Sequence, residues 1–528
     1  MKLALPTVAA DFRRSPLVAL TILVLFVGGA YLFAQYVVND NLVGLAYLAM
    51  VCVGAIFVVG MLNSWRNGLY FFLAWLLFED FARKFLGNNM AIFFAKDALV
   101  AVVYLSFFLA YRRRQVKSFR PPFLMPLLFF VWFGVMQVFN PASSTLLYGV
   151  LGLKLFFSYI PLLFVGYALI NSEAQLRKFF FVNTILALII SGLGIAQSIL
   201  GPTFLNPANP AEDIKELSTL YRTAPISGVS AYRASSVFVS TGRYTNFVLI
   251  SWLLALGFTG YLLLRRRQGR NLAFVSVAVI YAAIMLGAAR GLFMWGTGSV
   301  MVIAVAFLWG APWKHGEGIR VLRTLQRAAM GIVLALVLLF FIFPDALLSR
   351  ISIYSETLTP GSTNSELQYR TWEYPVRNFL GAFNYDRWPY GFGIGTSSLG
   401  VQYVAHVLHE APMGIGVESG FGSLVVEMGI GGLILWLVMS ISILVSAWHV
   451  VKKLKGSPLF PLAFVIFWYA LILLLPITFT SMVIYQDFVM NAYLWLLLGV
   501  LFRLPTLTLS SQFASVPASS PAVEGRAA

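Results

Sequence analysis

Residues 366–400 combine cations with aromatic rings in a way that could bind a glycan. The segment carries Arg370, Arg377 and Arg387, and its nine aromatic side chains are Tyr369, Trp372, Tyr374, Phe379, Phe383, Tyr385, Trp388, Tyr390 and Phe392. Flat ring faces suit the apolar C–H face of a pyranose, so we expect Trp372, Arg377, Trp388 and Tyr390 to contact sugar. The alternative is that the rings pack this segment onto a membrane surface, where Trp and Tyr are enriched. Composition alone does not separate the two interpretations.

Arginines on the predicted outer side of the membrane could form an anion site, and Lys154 within a predicted span raises the same question. The outer arginines include Arg233, Arg290 and Arg370. Arg290 is the sharpest case, because apolar sequence flanks it on both sides and an arginine so close to lipid normally faces a cavity or a partner. The guanidinium fork binds phosphate oxygens in pairs, so we favour an anion site for Arg290. Lys154 could equally pair with a carboxylate such as Asp97 or Glu427.

Two residues are candidates for a general base that takes a proton from a sugar hydroxyl: Glu418 and His409. His406 and His409 are three residues apart and would share a helical face next to Glu410, which also fits a solvated loop helix. We expect no metal site, because no third and fourth ligand follow at suitable spacing.

The composition is that of a polytopic helical membrane protein. The chain has 528 residues, of which 59% are hydrophobic and 11% charged, and its mean hydropathy is +0.83. A helix needs about 20 apolar residues to cross a bilayer, and the sequence predicts about 12–14 such spans in an all-α fold. We expect them near 17–38, 41–62, 69–86, 90–111, 122–139, 146–170, 179–200, 244–264, 272–289, 291–311, 328–344, 421–449, 458–480 and 484–502.

The net charge of +17 could suggest a nucleic-acid partner, but its placement argues against one. The basic clusters are short and lie between apolar runs, which is the positive-inside pattern and predicts that both termini are cytoplasmic. One cysteine, Cys52, excludes an internal disulfide.

This topology predicts four regions. Residues 1–344 would hold the N-terminal membrane helices with an outer loop near 201–243, and 345–420 would form a large, partly helical outer loop that carries the candidate base and sugar-binding residues. Residues 421–504 would hold the C-terminal membrane helices, and 505–528, rich in Ser, Ala and Pro, would be a disordered cytoplasmic tail. Within the large loop we expect a helix over 365–382 that bends at Pro375, followed by a glycine-rich turn over 391–395.

Four short stretches resemble the O-antigen ligase and O-antigen polymerase family of bacterial envelopes, and the likeness covers roughly residues 180–450. They are YRASSVF around Arg233, AARG around Arg290, YRTW with the later WPYGFGIG, and the run ESGFGSLVVEMGIGGL that begins at Glu418. Ligases and many polymerases carry a His-Asn pair where this chain has Glu418-Ser419, which favours a polymerase over a ligase.

The resemblance implies a fold like that of the C-class (GT-C) membrane glycosyltransferases, in the bacterial inner membrane. Such enzymes take a glycan from undecaprenyl diphosphate at the periplasmic face and transfer it, with inversion, to a glycan or lipid acceptor. No metal or other cofactor is implied. Arg233, Arg290, Arg370 and Lys154 would hold the diphosphate, and Glu418 or His409 would activate the acceptor. Chain-length regulators and export proteins are expected partners.

Three other functions fit the sequence. A ligase that transfers the glycan to a lipid A core is the nearest alternative. A flippase for lipid-linked sugars, or another transporter, would explain charges inside predicted spans, such as Lys96, Asp97 and Glu427. A non-catalytic scaffold for polysaccharide export is the third.

Overall fold

The computed structural model is mostly helical, as predicted. It describes residues 28, 30–31, 33–39, 42–86, 90–207, 220–265, 269–312, 330, 337, 340–359, 366–398, 401–409, 414–481 and 484–513.

The described residues form the following α-helices. In chain order they are α1 Leu42–Asn63, α2 Trp65–Leu86, α3 Met90–Arg112, α4 Leu124–Gln137, α5 Leu146–Phe157, α6 Leu162–Leu169, α7 Glu173–Leu200, α8 Thr241–Arg265, α9 Arg270–Leu286, α10 Arg290–Gly310, α11 Pro344–Leu358, α12 Glu366–Gln368, α13 Tyr374–Gly381, α14 Val401–Leu408, α15 Gly420–Lys453, α16 Phe460–Ile472, α17 Thr478–Thr480 and α18 Phe488–Phe513. Two strands, β1 Tyr221–Thr223 and β2 Ser230–Tyr232, lie between α7 and α8.

Eight helices among these residues are long and apolar enough to cross a membrane. They are Ile92–Arg112, Leu146–Leu169, Glu173–Leu200, Thr241–Arg265, Arg290–Gly310, Gly420–Lys453, Phe460–Thr480 and Phe488–Leu507. The chain is therefore an all-α polytopic membrane protein by architecture.

The predicted count of 12–14 spans exceeds these eight for identifiable reasons. Two apolar helices, α4 and α9, are shorter than a full crossing. The predicted span 41–62 corresponds to α1, which has 22 residues, but most of its side chains before Gly54 lie outside the described residues. The predicted span 69–86 falls in α2, which carries several charged residues and is not apolar enough. The predicted spans 17–38 and 328–344 lie largely outside the described residues.

The chain divides into two compact units. One contains residues 1–75 and 94–117, and the other contains 76–93 and 118–528. In the first unit the Ser106 hydroxyl donates to the Met61 carbonyl oxygen at 2.9 Å, and Trp65 packs edge-on against Phe107. These contacts hold α1 and α2 against α3.

The core of the second unit is built on glycine crossings. α6 and α18 approach so closely that a Cβ on Gly166 would clash with the Leu496 carbonyl, and one on Gly499 would clash with the Leu163 carbonyl. Small residues at such crossings let helix backbones pack in the absence of a hydrophobic driving force between helices.

The chain between α11 and α15 contains the predicted bent helix. α12 passes directly into a π-helical turn, Tyr369–Glu373, and α13 then starts with Pro375 in its first turn. A proline cannot donate an amide hydrogen bond, and the wider turn before it accommodates that loss. The helix predicted over 365–382 is thus present over the described residues 366–381, with an irregular turn directly before Pro375.

The last helix continues further than predicted. α18 runs through Pro505 to Phe513, so 505–513 is helical and the prediction of disorder from 505 is wrong for these residues. Residues 514–528 lie outside the described part of the chain.

Candidate functional site

The β1–β2 hairpin presents two chemically different faces. Tyr221 pairs with Tyr232, and Arg222 pairs with Ala231. Paired residues of antiparallel strands point to the same side, and neighbours along a strand point to opposite sides. Arg222 and Arg233 therefore belong to one face, and the two tyrosines belong to the other.

Arg233 continues the hairpin and is half-buried beside a second arginine. Its backbone N–H donates to the Leu220 carbonyl oxygen at 3.0 Å, which extends the strand pairing by one residue. Burial and the positive charge of Arg222 lower the pKa of Arg233 to about 10, while Tyr354 opposes the shift. Two cations held this close, away from bulk water, favour an anion between them.

Arg290 approaches the same hairpin from α10. It is the first residue of that helix, it is buried, and its Nη2 donates to the Thr223 carbonyl oxygen at 2.9 Å. Around it lies a small core, within which Phe293 stacks on Tyr354 at 4.4 Å. Ala224, Ala231, Ala288, Ile353 and Tyr354 form that core. Arg233 and Arg290 therefore both contact the hairpin, Arg233 at Leu220 and Arg290 at Thr223.

Glu356 is the acidic side chain next to this cluster. Its Oε2 accepts from the backbone N–H of Ile226 at 2.8 Å and of Ser227 at 3.0 Å, at the tip of the hairpin. The pKa of Glu356 lies below its usual value because of hydrogen bonds from Ser227 and Ile226 and the charge of Arg290. Glu356 thus ties the hairpin tip to α11.

Arg350 in α11 is a structural residue. An arginine has five N–H donors, and all five of Arg350 are engaged. Nε donates to the Leu286 carbonyl, Nη1 to the Ala346 carbonyl and the Ser349 hydroxyl, and Nη2 to the carbonyls of Ser198 and Tyr232, at 2.9–3.3 Å. It joins α7, β2, α9 and α11, and no donor remains for a ligand.

Part of the predicted glycan site forms a groove along the π turn and α13. The groove has a volume of about 500 Å³ and is lined by Tyr369, Trp372, Glu373, Val376, Arg377, Leu380, Gly381 and Asn384. The Trp372 ring is 67% exposed. An exposed indole beside a cation and a carboxylate is suited to a sugar ring with its hydroxyls.

Arg370 lies on the same π turn, next to Tyr369. Its side chain lies outside the described part of the structure, so only its backbone position is known. α12, which precedes the turn, packs against α11, the helix that carries Arg350 and Glu356.

Of the four residues predicted to contact sugar, Trp372 and Arg377 line this groove, whereas Trp388 and Tyr390 do not. The Trp388 ring packs against Phe383 at 5.4 Å, and its carbonyl oxygen accepts from the Ile430 N–H at 3.2 Å. The Tyr390 carbonyl accepts from Gln137, and its ring is 77% exposed. Both residues belong to the glycine-rich segment that docks onto α15.

That segment fills a break in α15. The helix is interrupted at Gly429, where φ is 69° and ψ is −175°. Carbonyl oxygens freed by the break, those of Val426 and Glu427, accept from the N–H groups of Phe392 and Gly393, each at 2.9 Å. The predicted turn over 391–395 is confirmed, and its glycines allow the backbone to come this close to the helix.

Glu427 is buried and bound by the same segment. Its two oxygens accept from the Gly395 N–H at 3.1 Å and from the Ser397 N–H and hydroxyl at 3.2 and 2.9 Å. Of the roles considered from sequence, these contacts favour a structural anchor.

The two candidate bases occupy different environments. Glu418 is exposed, precedes the Ser419 cap of α15, and accepts a hydrogen bond from the Tyr374 hydroxyl at the start of α13. His409 is exposed and follows α14 with a φ of 55°, which ends the helix. It does not continue a helical face with His406, whose side chain lies outside the described residues. Of the two candidates, Glu418 is linked through Tyr374 to α13, the helix that lines the groove.

Lys154 lies close to Arg83, because both side chains face the ring of Phe93. Its Nζ lies 5.2 Å from the centroid of the Phe93 ring, and the guanidinium of Arg83 lies 4.9 Å from the same centroid. Arg83 also contacts Asp80, which accepts from Arg243 at 2.7 Å. Lys154 therefore belongs to this α2-centred group.

The buried charge network of Asp80, Arg83 and Arg243, with the neighbouring Lys84, was not predicted from the sequence. Lys84 donates to the Ser235 hydroxyl at 3.0 Å and to the Ser236 carbonyl at 2.7 Å, directly after Arg233. The available signal was the charged sequence EDFARK within the predicted span 69–86, since charges within a membrane helix are normally paired. The network fixes the segment between β2 and α8.

Within the described ranges, no group of three or more His, Cys, Asp or Glu side chains could hold a metal ion. No protein-family model matches the sequence, and comparison with curated proteins finds no match.

Proposed function

We propose that this protein is an inner-membrane glycosyltransferase that polymerises glycans carried on undecaprenyl diphosphate at the periplasmic face, with a GT-C-like fold. The observation that carries the proposal is the gathering of Arg222, Arg233 and Arg290 around one short hairpin. Arginine forks bind paired phosphates, and the cluster lies where the described chain leaves its apolar helices. The resemblance to O-antigen polymerases points to the same substrate.

The reaction transfers a glycan from its lipid diphosphate to an acceptor hydroxyl. The bond between the anomeric carbon and the phosphate oxygen breaks, and the electron pair leaves with undecaprenyl diphosphate. Arg233 and Arg290 stabilise the negative charge that develops on that oxygen. The acceptor oxygen attacks the anomeric carbon from the opposite side, so the configuration inverts.

Glu418 is the proposed base. Its carboxylate takes the proton of the acceptor hydroxyl, and the Tyr374 hydroxyl orients the carboxylate by donating a hydrogen bond to it. His409 is the second candidate, and its exposed position after α14 leaves it free to reach a substrate. The groove with Trp372 and Arg377 would hold the glycan close to Tyr374, with which it shares α13 and the π turn.

Chain extension by the purified full-length protein tests this proposal. The protein is incubated with lipid-linked oligosaccharide, and the products are separated on a gel. We expect a ladder for the wild type and a loss of at least about 100-fold for Arg233→Ala and Arg290→Ala, the usual size of effect when one transition-state donor is removed.

Arg387→Ala is the matched control, because Arg387 is an exposed arginine of the same region. It should retain the ladder. Normal ladders in all three variants would overturn the site. A single addition to lipid A core, without a ladder, would identify a ligase.

A transporter of lipid-linked sugars is the second candidate. Arg243 in the apolar helix α8 pairs with Asp80, and paired charges in membrane helices are typical of transport pathways. The double variant Trp372→Ala, Arg377→Ala separates the two functions. It should abolish polymerisation, whereas a transporter in proteoliposomes would keep moving labelled lipid.

A further inference from the structure

A second groove lies beside the tyrosine face of the hairpin. Its volume is about 560 Å³, and its walls are the C-terminal end of α7, the hairpin and the N-terminal half of α11. Tyr221, Ser230, Asp345 and Ser352 are among its lining side chains. Hydroxyls, aromatic rings and one carboxylate therefore face this groove.

None of the described residues that line the groove offers a free positive charge. Arg350 is the one cation among its lining residues. All five of its N–H donors bind acceptors in α7, β2, α9 and α11. Asp345 adds an exposed negative charge. A diphosphate would meet a carboxylate here without a cation to neutralise it, so this groove disfavours phosphate.

The walls are preorganised for a ligand. Arg350 connects Ser198 of α7 to Tyr232 of β2 at the base of the groove, with distances of 3.0 and 3.2 Å. The Tyr221 and Tyr232 rings lie 5.6 Å apart, and Tyr221 is 57% exposed. A rigid floor with a solvent-facing ring lowers the entropic cost of binding.

The hairpin register separates this groove from the arginine cluster. Tyr221, Ser230 and Tyr232 point to one side, whereas Arg222 and Arg233 point to the other. One side suits an anion, and the other suits an uncharged, hydroxyl-rich molecule. A polymerase needs both, because its donor carries a diphosphate next to the reacting sugar and its acceptor reacts through a sugar hydroxyl.

We propose that this groove binds the uncharged glycan of the acceptor chain, an inference that rests on the proposed polymerase function. The Tyr221 ring stacks against the C–H face of a sugar. The Asp345 carboxylate accepts hydrogen bonds from sugar hydroxyls. The Ser230 hydroxyl, which shares a hydrogen bond with the Thr223 hydroxyl at 2.9 Å, supplies a further donor or acceptor.

Binding of two probes to the purified full-length protein tests the proposal. The first probe is phosphate-free oligosaccharide released by mild acid from the source cell's lipid-linked pool and labelled with a fluorophore. The second is undecaprenyl diphosphate. Tyr221→Ala should weaken oligosaccharide binding about tenfold, as expected for loss of an aromatic anchor, and should leave undecaprenyl diphosphate binding within about twofold.

Matched variants show whether the effect is specific. Tyr221→Phe keeps the ring and should bind as the wild type does. Ile226→Ala removes an exposed side chain from the tip of the same hairpin, outside the groove, and should change neither affinity. Asp345→Asn changes one exposed group and should weaken oligosaccharide binding alone. Arg233→Ala should show the reverse selectivity.

Two outcomes would overturn the groove assignment: wild-type oligosaccharide affinity in both Tyr221→Ala and Asp345→Asn, or an equal loss of both probes in Tyr221→Ala. Failure of the proposed function gives a different result. If the wild type forms no ladder but Tyr221→Ala still loses oligosaccharide selectively, the groove stands and the polymerase does not.

Discussion

The arginines around the hairpin differ in what occupies their N–H donors. All five donors of Arg350 bind protein groups. Arg233 is instead half-buried beside Arg222, and burial together with that like charge lowers the pKa of Arg233. A saturated guanidinium holds the fold, and a pair of neighbouring cations favours an anion. Residue type alone could not have separated these two roles.

Arg350→Ala tests the structural role. The substitution leaves buried carbonyls of α7, α9 and β2 without their donor, and each unsatisfied group costs about 1–3 kcal/mol. We expect the free energy of unfolding to fall by about 2–4 kcal/mol. Thermal unfolding in detergent measures this change, with Arg387→Ala as the exposed control. An unchanged melting temperature would contradict the role assigned to Arg350.

The pKa of Arg233 predicts a pH dependence of anion binding. Because this pKa is lowered to about 10, Arg233 is charged at neutral pH and loses its proton as the pH rises through that value. Undecaprenyl diphosphate binding should therefore be nearly constant between about pH 7 and pH 9 and fall above it. Arg233→Ala should remove the fall.

The lowered pKa of Arg233 predicts that stability rises with pH, whereas anion binding falls. The folded pKa of Arg233 lies below the ordinary value of 12.5, so the unfolded chain binds more protons between the two values. The contribution of Arg233 to the free energy of unfolding should then rise with pH through about 10. Comparing wild-type and Arg233→Ala melting temperatures across this range checks the sign.

At the scale of elements, the main structural feature is the glycine-rich segment 391–395, which docks into the break of α15 at Gly429. A broken membrane helix is tolerated where the protein satisfies the freed backbone groups. Here the N–H groups of Phe392 and Gly393 satisfy the carbonyls that Gly429 releases, and Glu427 binds the segment from the other side. The large loop is thus anchored within a membrane helix.

Gly395→Ala should release this anchor. Gly395 has a φ of 87°, and a Cβ there would clash with the Tyr148 carbonyl, so the substitution requires the backbone to move. We expect a destabilisation of about 2 kcal/mol or more, together with faster hydrogen exchange at 388–398. Gly414→Ala is the control, since its Cβ would meet no atom within 4 Å. Equal exchange in both variants would contradict the anchoring.

At the scale of the whole molecule, sequence predicted the helices well because lipid imposes one rule on every segment: apolar runs must satisfy their own backbone. The irregular helix around Pro375 and the glycine-rich segment at 391–395 also followed from local chemistry. Among the described residues, eight of the predicted spans are helices long and apolar enough to cross, whereas others, such as α4, are shorter than a full crossing.

The candidate site was only partly predictable. Arg233 and Arg290 were expected together and meet at the hairpin. The hairpin itself has three residues per strand, too few for a period-2 signal, so its two faces were invisible in the sequence. The contact of Lys154 with the Phe93 ring, which also faces Arg83, was not predicted, because contacts between distant helices depend on tertiary packing.

The most direct test of the central claim is to locate the lipid diphosphate on the protein. An undecaprenyl diphosphate analogue with a photoreactive group next to its phosphates is bound to the purified protein, irradiated, and mapped by mass spectrometry. The account predicts labelling within 220–233 and 288–293, which is lost in Arg233→Ala and retained in Arg387→Ala. Labelling confined to other segments, such as α2 and α5 around Lys154, would contradict it.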